Sequence, residues 1–475
     1  MSLRQKSIKG VVWSFTETIG VRIFSVSIYF LLAKILGPEP FGLVALTSSV
    51  IFFTSLVIDQ GFAEALIQRQ DLKKEHLYSA FWGISILGFV FFLLMFLSAP
   101  VIASFYKEPM MEDILRVHAF NFIIGSSGLV HRAILMKNFN FKVVAYGRIV
   151  GIVLGGIVSI VMAYNNFGAW CLVAQHLIFS FVQTVTFWIS SGWIPKIYFS
   201  WKLYKSLFSF GSKVLATRMI SNFNQYSYNL IIGYAFDTTV LGYFSFALKV
   251  FTTISDVVNL SVSKVLLPLF SNIQQDRKRL EITFFKASYL MLYSSLPLFI
   301  ALLVFIPDLI ELTFGTAWAP SRDCMQILAI SGVSVMILCI YESFQIGIGK
   351  PENNITINLI NFSAGIISLL LLMDFGLTGA AWSFVIKYFV SFVYILWWLN
   401  KSFEEIKSYI LNIAKPIIVF SFIALLIVAV SPFFQSTLPY LVIYKALMWM
   451  SLSLVAILIF NPDLLKMSLG LISKK

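Results

Sequence analysis

The chain opens with two long apolar runs, Val11 to Ile35 and Phe41 to Ile58, joined by the short turn Leu36-Gly37-Pro38-Glu39-Pro40. At about 1.5 Å per helical residue, each run is long enough to cross roughly 30 Å of hydrocarbon. The pattern predicts a transmembrane hairpin. It repeats along the chain, with further spans expected near 80–98, 112–135, 143–163, 169–190, 209–234, 241–268, 283–306, 324–345, 354–373, 379–399, 416–431 and 441–460. The fold class expected is an all-α polytopic membrane protein of about 14 helices.

Basic residues give the helices a direction. Arg4, Lys6 and Lys9 precede the first run, and Arg69, Lys73 and Lys74 follow the second, while the joining turn has no Lys or Arg. Carried through the chain, the segments assigned inside hold Lys137, Lys142, Lys196, Lys202, Lys205, Arg277, Lys278, Arg279, Lys350, Lys401, Lys407, Lys415, Lys466, Lys474 and Lys475 as well. Those assigned outside hold Lys107 and Arg322, with Lys34 close by. By the positive-inside bias, both termini are expected in the cytoplasm. The first run is too long for the core of a cleavable signal peptide and lacks a small-residue cleavage site, so it is expected to stay as a span.

The longest inner connection, 192–208, divides the first twelve helices into six and six. The expected domains are an N-terminal lobe over 1–191, a C-terminal lobe over 209–399, and two further helices with a cytoplasmic tail over 400–475. The halves begin alike, since Leu241-Gly242-Tyr243 echoes Phe41-Gly42-Leu43 at an offset of 200. Both start on the same side, which implies a parallel pseudo-repeat about an axis normal to the membrane.

Composition agrees, with 59% hydrophobic and 12% charged residues in 475. The formal net charge of +13 would suggest nucleic acid in a soluble chain. Here it is spread over one set of loops as an orientation signal, and no nucleic-acid partner is expected. Cys171, Cys324 and Cys339 form no C-x-x-C pair and read as packing thiols, and the four histidines lack metal-ligand spacing. Gly347-Ile348-Gly349-Lys350-Pro351 lacks the spacing of a phosphate loop. No cofactor is expected. Gly147, Gly151 and Gly155 form a small-residue series suited to close helix packing, and Pro297 is a kink site, either hinge or static bend.

The chemistry lies inside the spans. At about 100° per residue, Ser14, Thr18, Arg22, Ser25 and Tyr29 share one face of the first helix, and Arg22 facing lipid would cost a few kcal/mol. The seventh helix repeats this with Arg218, Asn222, Gln225 and Asn229. The eighth carries Ser245, Lys249, Thr252, Asp256 and Ser263, the second Ser48, Ser55 and Asp59, and the eleventh opens with Asn354, Asn358 and Asn361. Single Ser, Thr or Asn residues often just bond neighbouring helices. Arg22, Arg218, Lys249, Asp256 and Lys387 are ionisable at mid-helix depth and point to a wet interior. The cavity residues expected are Arg22, Arg218, Asn222, Gln225, Asn229, Lys249 and Lys387, with Asp59 and Asp256 as ion-coupling carboxylates.

The run Asp59-Gln60-Gly61-Phe62-Ala63-Glu64-Ala65-Leu66-Ile67-Gln68-Arg69-Gln70-Asp71 resembles the Wzx-type, colanic-acid-exporter-like polysaccharide-biosynthesis branch of the multidrug/oligosaccharidyl-lipid/polysaccharide exporter superfamily. Similar echoes are Gly168-Ala169-Trp170-Cys171-Leu172-Val173-Ala174-Gln175, Leu241-Gly242-Tyr243-Phe244-Ser245-Phe246-Ala247, Pro268-Leu269-Phe270-Ser271, and Gly315-Thr316-Ala317-Trp318 leading to Gln326-Ile327-Leu328-Ala329. The resemblance weakens beyond about Lys401. It implies two six-helix lobes with two extra C-terminal helices. It also implies a flippase in a bacterial inner membrane that moves undecaprenyl-diphosphate-linked oligosaccharide, an O-antigen, capsule or exopolysaccharide unit, outward by alternating access. Its partners would be membrane lipid and the polymerase and glycosyltransferases of the pathway, and a proton or sodium gradient would drive it.

The residues argue for this independently. A pyrophosphate with several sugars needs a hydrated, hydrogen-bonding passage, where arginine forks suit phosphate and Asn, Gln and Tyr suit hydroxyls. A drug or metabolite antiporter of the same superfamily is the alternative, but a cavity for cationic drugs should be acid-rich. An O-antigen polymerase or ligase should carry a large outer loop with clustered charges, and the longest outer loop expected, Pro307 to Arg322, is short.

Overall fold

A computed structural model describes the backbone of residues 3–59, 61–431 and 438–460, and the side chains of 20–52, 61–209, 226–259, 265–431 and 440–459. The described residues form α-helices joined by short turns. In order these are α1 (Leu3–Leu36), α2 (Pro38–Asp59), α3 (Phe62–Gln68), α4 (Lys74–Tyr106), α5 (Pro109–Lys137), α6 (Phe141–Tyr164), α7 (Trp170–Ser191), α8 (Trp201–Ala235), α9 (Thr238–Asn272) and α10 (Arg277–Phe314). They continue as α11 (Ala319–Ile330), α12 (Gly332–Gly347), α13 (Glu352–Leu372), α14 (Gly376–Ser402), α15 (Ile406–Val430) and α16 (Leu438–Phe460). The α1–α2 turn works because Gly37 takes φ 76°, where a side chain would be strained, and Pro38 follows at the first helical position.

Among the described residues, nine helical stretches are long and apolar enough to cross a membrane, or ten if the bent pair Thr316–Ile330 and Gly332–Gly347 is one span. Leu97, Val101 and Ile189 are each at least 70% exposed, an apolar surface that calls for lipid rather than water. The protein is an all-helical membrane protein.

Helix ends differ from the hydropathy reading where lysines interrupt it. α8 begins at Trp201, not near 209, because its first turns are amphipathic: Tyr204 and Leu207 are buried while Lys202 and Lys205 stay exposed. α10 and α15 likewise start earlier, at Arg277 and Ile406. The span expected at 324–345 is two helices, α11 and α12, meeting at 47°. At that bend a Cβ on Gly332 would lie 2.5 Å from the Phe299 ring, so the ring occupies the space a side chain would need.

Two compact units divide the chain, Met1–Gly242 and Tyr243–Lys475. In the first, α4 packs on α5, α6 on α1 and α7, and α8 on α2, α3 and α4. The glycine series of α6 lets α7 approach: a Cβ at Gly155 would lie 2.8 Å from the Gln175 carbonyl oxygen, and one at Gly151 3.0 Å from that of Phe179. The extended connection 192–200 is pinned along α4. Trp82 Nε1 donates to the Lys196 carbonyl at 2.9 Å, the Ser200 amide donates to Ser79 Oγ at 3.0 Å, and Trp193 stacks on Tyr78.

In the second unit α10 is the spine, packed on α11, α12, α15 and α16. Near its start, Glu281 Oε1 accepts from the amides of Glu404 and Glu405, which satisfies backbone donors at the entry to α15. Tyr409 donates its hydroxyl to Ser288 Oγ at 3.1 Å. α10 runs helical through Pro297, whose carbonyl accepts from Trp449 Nε1 of α16 at 3.1 Å. Lys445 Nζ reaches Asp308 Oδ2 at 2.6 Å, with both side chains mostly buried.

Breaking such a pair leaves a stranded charge, at a cost of about 3–5 kcal/mol. Asp308→Ala should therefore lower the melting temperature of detergent-solubilised protein clearly. The paired change Asp308→Leu with Lys445→Met should recover most of that loss. Equal melting of parent and Asp308→Ala would refute the tie.

Candidate functional site

The expected site residues fall in both units. In the first, Arg22 is half-buried on α1, sharing a face with Ser25 and Tyr29, whereas Ile23 and Phe24 on the neighbouring face are exposed. Tyr29 meets Phe41 of α2 edge-on at 5.0 Å. α2 and α8 run antiparallel in register: Leu46 lies against Gly233, Ser49 Oγ accepts from Asn229 Nδ2 at 3.0 Å, and Phe52 stacks on Tyr226 at 3.8 Å. Asn229 therefore faces α2, and its Oδ1 is buried with no hydrogen-bond partner among the described residues, as is Ser48 Oγ. The side chains of Asp59, Arg218, Asn222 and Gln225 lie outside the described residues.

In the second unit Lys249 is half-buried and Asp256 exposed along α9. Cys339 of α12 lies within electrostatic reach of both Asp256 and Glu342. Glu342 Oε1 accepts from Asn358 Nδ2 at 3.4 Å, and its backbone carbonyl accepts from Asn354 at 3.0 Å. Glu342 and the amides opening α13 thus form one polar cluster. Glu342 escaped the sequence reading, although the depth rule that singled out Asp256 applies to it equally. Lys387 is 3% exposed, with Nζ 5.1 Å from the Phe384 ring and 5.0 Å from that of Tyr388. Its ammonium lies within cation–π range of both rings.

The Asp59 to Asp71 run builds a third polar region, in the first unit. α3 buries Phe62, Ala63, Ala65 and Leu66, and Lys137 of α5 donates Nζ to the carbonyls of Leu66 and Arg69 at its end. Arg69 forks onto Asp71, Nε to Oδ1 at 3.0 Å and Nη2 to Oδ2 at 3.3 Å, and gives Nη1 to Ser206 of α8 at 2.9 Å. These residues line a cavity of about 340 Å³ with Gln68, Gln70 and Leu207. The other quoted motifs serve packing: Phe246 lies 4.2 Å from Trp318, and Phe270 packs with Phe284 and Phe344. Among the described residues, no group of three His, Cys, Asp or Glu could hold a metal ion.

Residues 31–323 match the family model of the polysaccharide biosynthesis proteins. The chain belongs to that family. It is 24% identical to the teichuronic acid biosynthesis protein TuaB of Bacillus subtilis (strain 168), over 88% of this chain and 87% of that one. Identity is also 24% to the lipopolysaccharide biosynthesis protein WzxC of Escherichia coli (strain K12), over 70% of this chain and 68% of that one. In fold it is similar to a structure described as the lipid II flippase MurJ in an inward closed conformation, with a TM-score of 0.78, 17% identity, and coverage of 96% of this chain and 100% of that one. An inward-facing MATE family multidrug transporter of the MOP superfamily matches less well, with a TM-score of 0.59, 14% identity, and coverage of 82% of this chain and 95% of that one.

The Arg69 hydrogen bond and charge hold the Asp71 carboxyl below its ordinary range. A lowered carboxylate pKa stabilises the folded tie above the unfolded value, about 3.9, and that contribution is lost as pH falls through the lowered folded value. A spin label at Gln70 should stay immobile from neutral pH down to the ordinary carboxylate range and loosen only below it. Asp71→Asn should be loose already at pH 7. An Asp71→Asn spectrum matching the parent at pH 7 would show that the fork does not hold the loop.

Proposed function

We propose that this protein is a flippase carrying a polyprenyl-diphosphate-linked oligosaccharide from the inner to the outer leaflet of a bacterial inner membrane. The observation that carries the reading is a family match over most of the chain together with the fold of a lipid II flippase. It is a transporter, not an enzyme, and it acts by alternating access with both termini in the cytoplasm. In this reading the pseudo-repeat lobes are 1–191 and 209–399, and 400–475 adds the C-terminal helices. The polyprenyl tail stays in lipid, because each CH₂ moved from water to lipid gains about 0.8 kcal/mol. The diphosphate and sugars pass through the protein.

In this reading Arg22 and Arg218, one from each half, fork the pyrophosphate, and Asn222, Gln225, Asn229 and Lys249 meet sugar hydroxyls and the second phosphate. Asp256 binds the coupling proton or sodium ion, with Glu342 of α12 as a second carboxylate. Asp59 is the corresponding carboxylate of the first half. The polymerase and glycosyltransferases of the same pathway supply and consume the cargo. A drug antiporter of related fold is the other reading, supported by the MATE likeness alone, and the cationic stripes weigh against a cationic cargo.

The test is translocation of a fluorescent polyprenyl-diphosphate oligosaccharide in proteoliposomes. Arg22→Ala and Arg218→Ala should each reduce it at least about tenfold, the loss expected from one charge-assisted bidentate contact, and Arg→Lys should restore part of it. Full transport by both alanine variants would remove the pyrophosphate role. Asp256→Asn should leave cargo binding measurable and abolish the response to an imposed proton or sodium gradient. A parent-like response would make Asp256 structural.

A further inference from the structure

The first turns of α2 and α9 meet backbone to backbone. A Cβ on Gly42 would lie 1.6 Å from the Thr238 carbonyl oxygen and 2.7 Å from the Gly242 nitrogen. A Cβ on Gly242 would lie 2.0 Å from the Pro38 carbonyl oxygen and 3.2 Å from the Gly42 nitrogen. All four residues belong to the first compact unit. Neither position has room for a side chain, and the atoms in the way are backbone, which cannot swing aside as a rotamer does.

The contact is reciprocal in a particular way. The offset of 200 that aligns Phe41-Gly42-Leu43 with Leu241-Gly242-Tyr243 also carries Pro38 onto Thr238. Gly42 against Thr238 is therefore matched by Gly242 against Pro38, the pattern two copies make when they touch on a two-fold axis. The internal repeat thus brings its two equivalent glycines together. Neighbouring groups seat the contact: Thr238 Oγ1 donates to Glu108 Oε1 of the α4–α5 turn at 3.1 Å, and the Val240 amide donates to Asp237 Oδ1 at 2.7 Å.

We propose that Gly42 and Gly242 form the closing contact of the outer mouth, seated when the outer side is shut and parted when it opens. The inference rests on the transport reading and on the charge-derived orientation, which puts the α1–α2 and α8–α9 turns outside. Such a contact suits a moving part. Two smooth backbone faces have no interdigitated side chains to unlock, and glycine lets them come close enough to exclude a solvated cargo. A static helix crossing would use the same glycines, and the test separates the two by asking whether the mouth opens when closure is obstructed.

Cysteine at Ser49, buried on α2 two turns beyond Gly42, serves as the reporter in a background with Cys171, Cys324 and Cys339 replaced. A membrane-impermeant maleimide is applied to intact cells. Gly42→Ala and Gly242→Ala obstruct closure and should each raise the labelling rate at least about fivefold, a modest population shift of two states. Gly125→Ala on α5, where an added Cβ would meet nothing within 4 Å, should label like the parent.

Thr238→Val removes the bond to Glu108 without crowding the glycines and should raise labelling in the same direction by less. It carries the test if the alanine variants fail to insert. Parent-rate labelling in inserted Gly42→Ala and Gly242→Ala overturns the gate, and if neither inserts, parent-rate labelling in Thr238→Val does. Export is measured in the same cells: its absence in the parent overturns the transport reading, whereas unchanged labelling overturns the gate whatever the export.

Discussion

A charge in hydrocarbon must be paired, enclosed or wet, and most of the chemistry in this protein follows from that constraint. At the bilayer centre an isolated Arg, Lys or Asp costs a few kcal/mol even on the most forgiving scales. The chain meets the constraint in three ways. Lys445 is paired with Asp308 and ties α16 to α10. Lys387 is buried, its ammonium near the rings of Phe384 and Tyr388. Arg22, Lys249 and Asp256 lie half-buried or exposed on helices whose other faces are apolar, an arrangement suited to a watered passage.

Hydropathy made most of the fold legible, because a helix that must bury every backbone polar group in lipid reads as one unbroken apolar run. It misjudged the starts of α8, α10 and α15, where lysines and arginines stand in the first turns. It also could not see the bend between α11 and α12. Beside that bend Phe299 lies against Gly332, a contact between residues 33 positions apart in sequence. The glycine series of α6 was readable because spacing alone implies close packing.

The site was less legible. Periodicity put Arg22 and Asn229 on polar faces but could not say that Asn229 donates to Ser49, or that Lys387 lies near two aromatic rings. Glu342 was overlooked because it belongs to no repeated stripe, yet α12 and α13 bring it together with two asparagines. The motifs behind the family resemblance proved mainly architectural. Arg69, Asp71 and Ser206 lash a loop to α8, and Phe246 and Trp318 pack together. Such motifs identify a fold well and leave the cargo unwritten, since hydroxyl recognition by scattered amides has no sequence code.

The central claim, that the polar stripes line water while the faces beside them meet lipid, is tested most directly on α1. Single cysteines are placed in turn from Gly20 to Leu31 in a cysteine-free background, and their reaction with a small charged methanethiosulfonate is followed in membranes. The account predicts reaction at positions 22, 25 and 29 and none at Ile23, Phe24 and Leu31, although these last three are exposed in the protein alone. Reaction without helical period, or silence at all three stripe positions in the presence and absence of cargo, would contradict it.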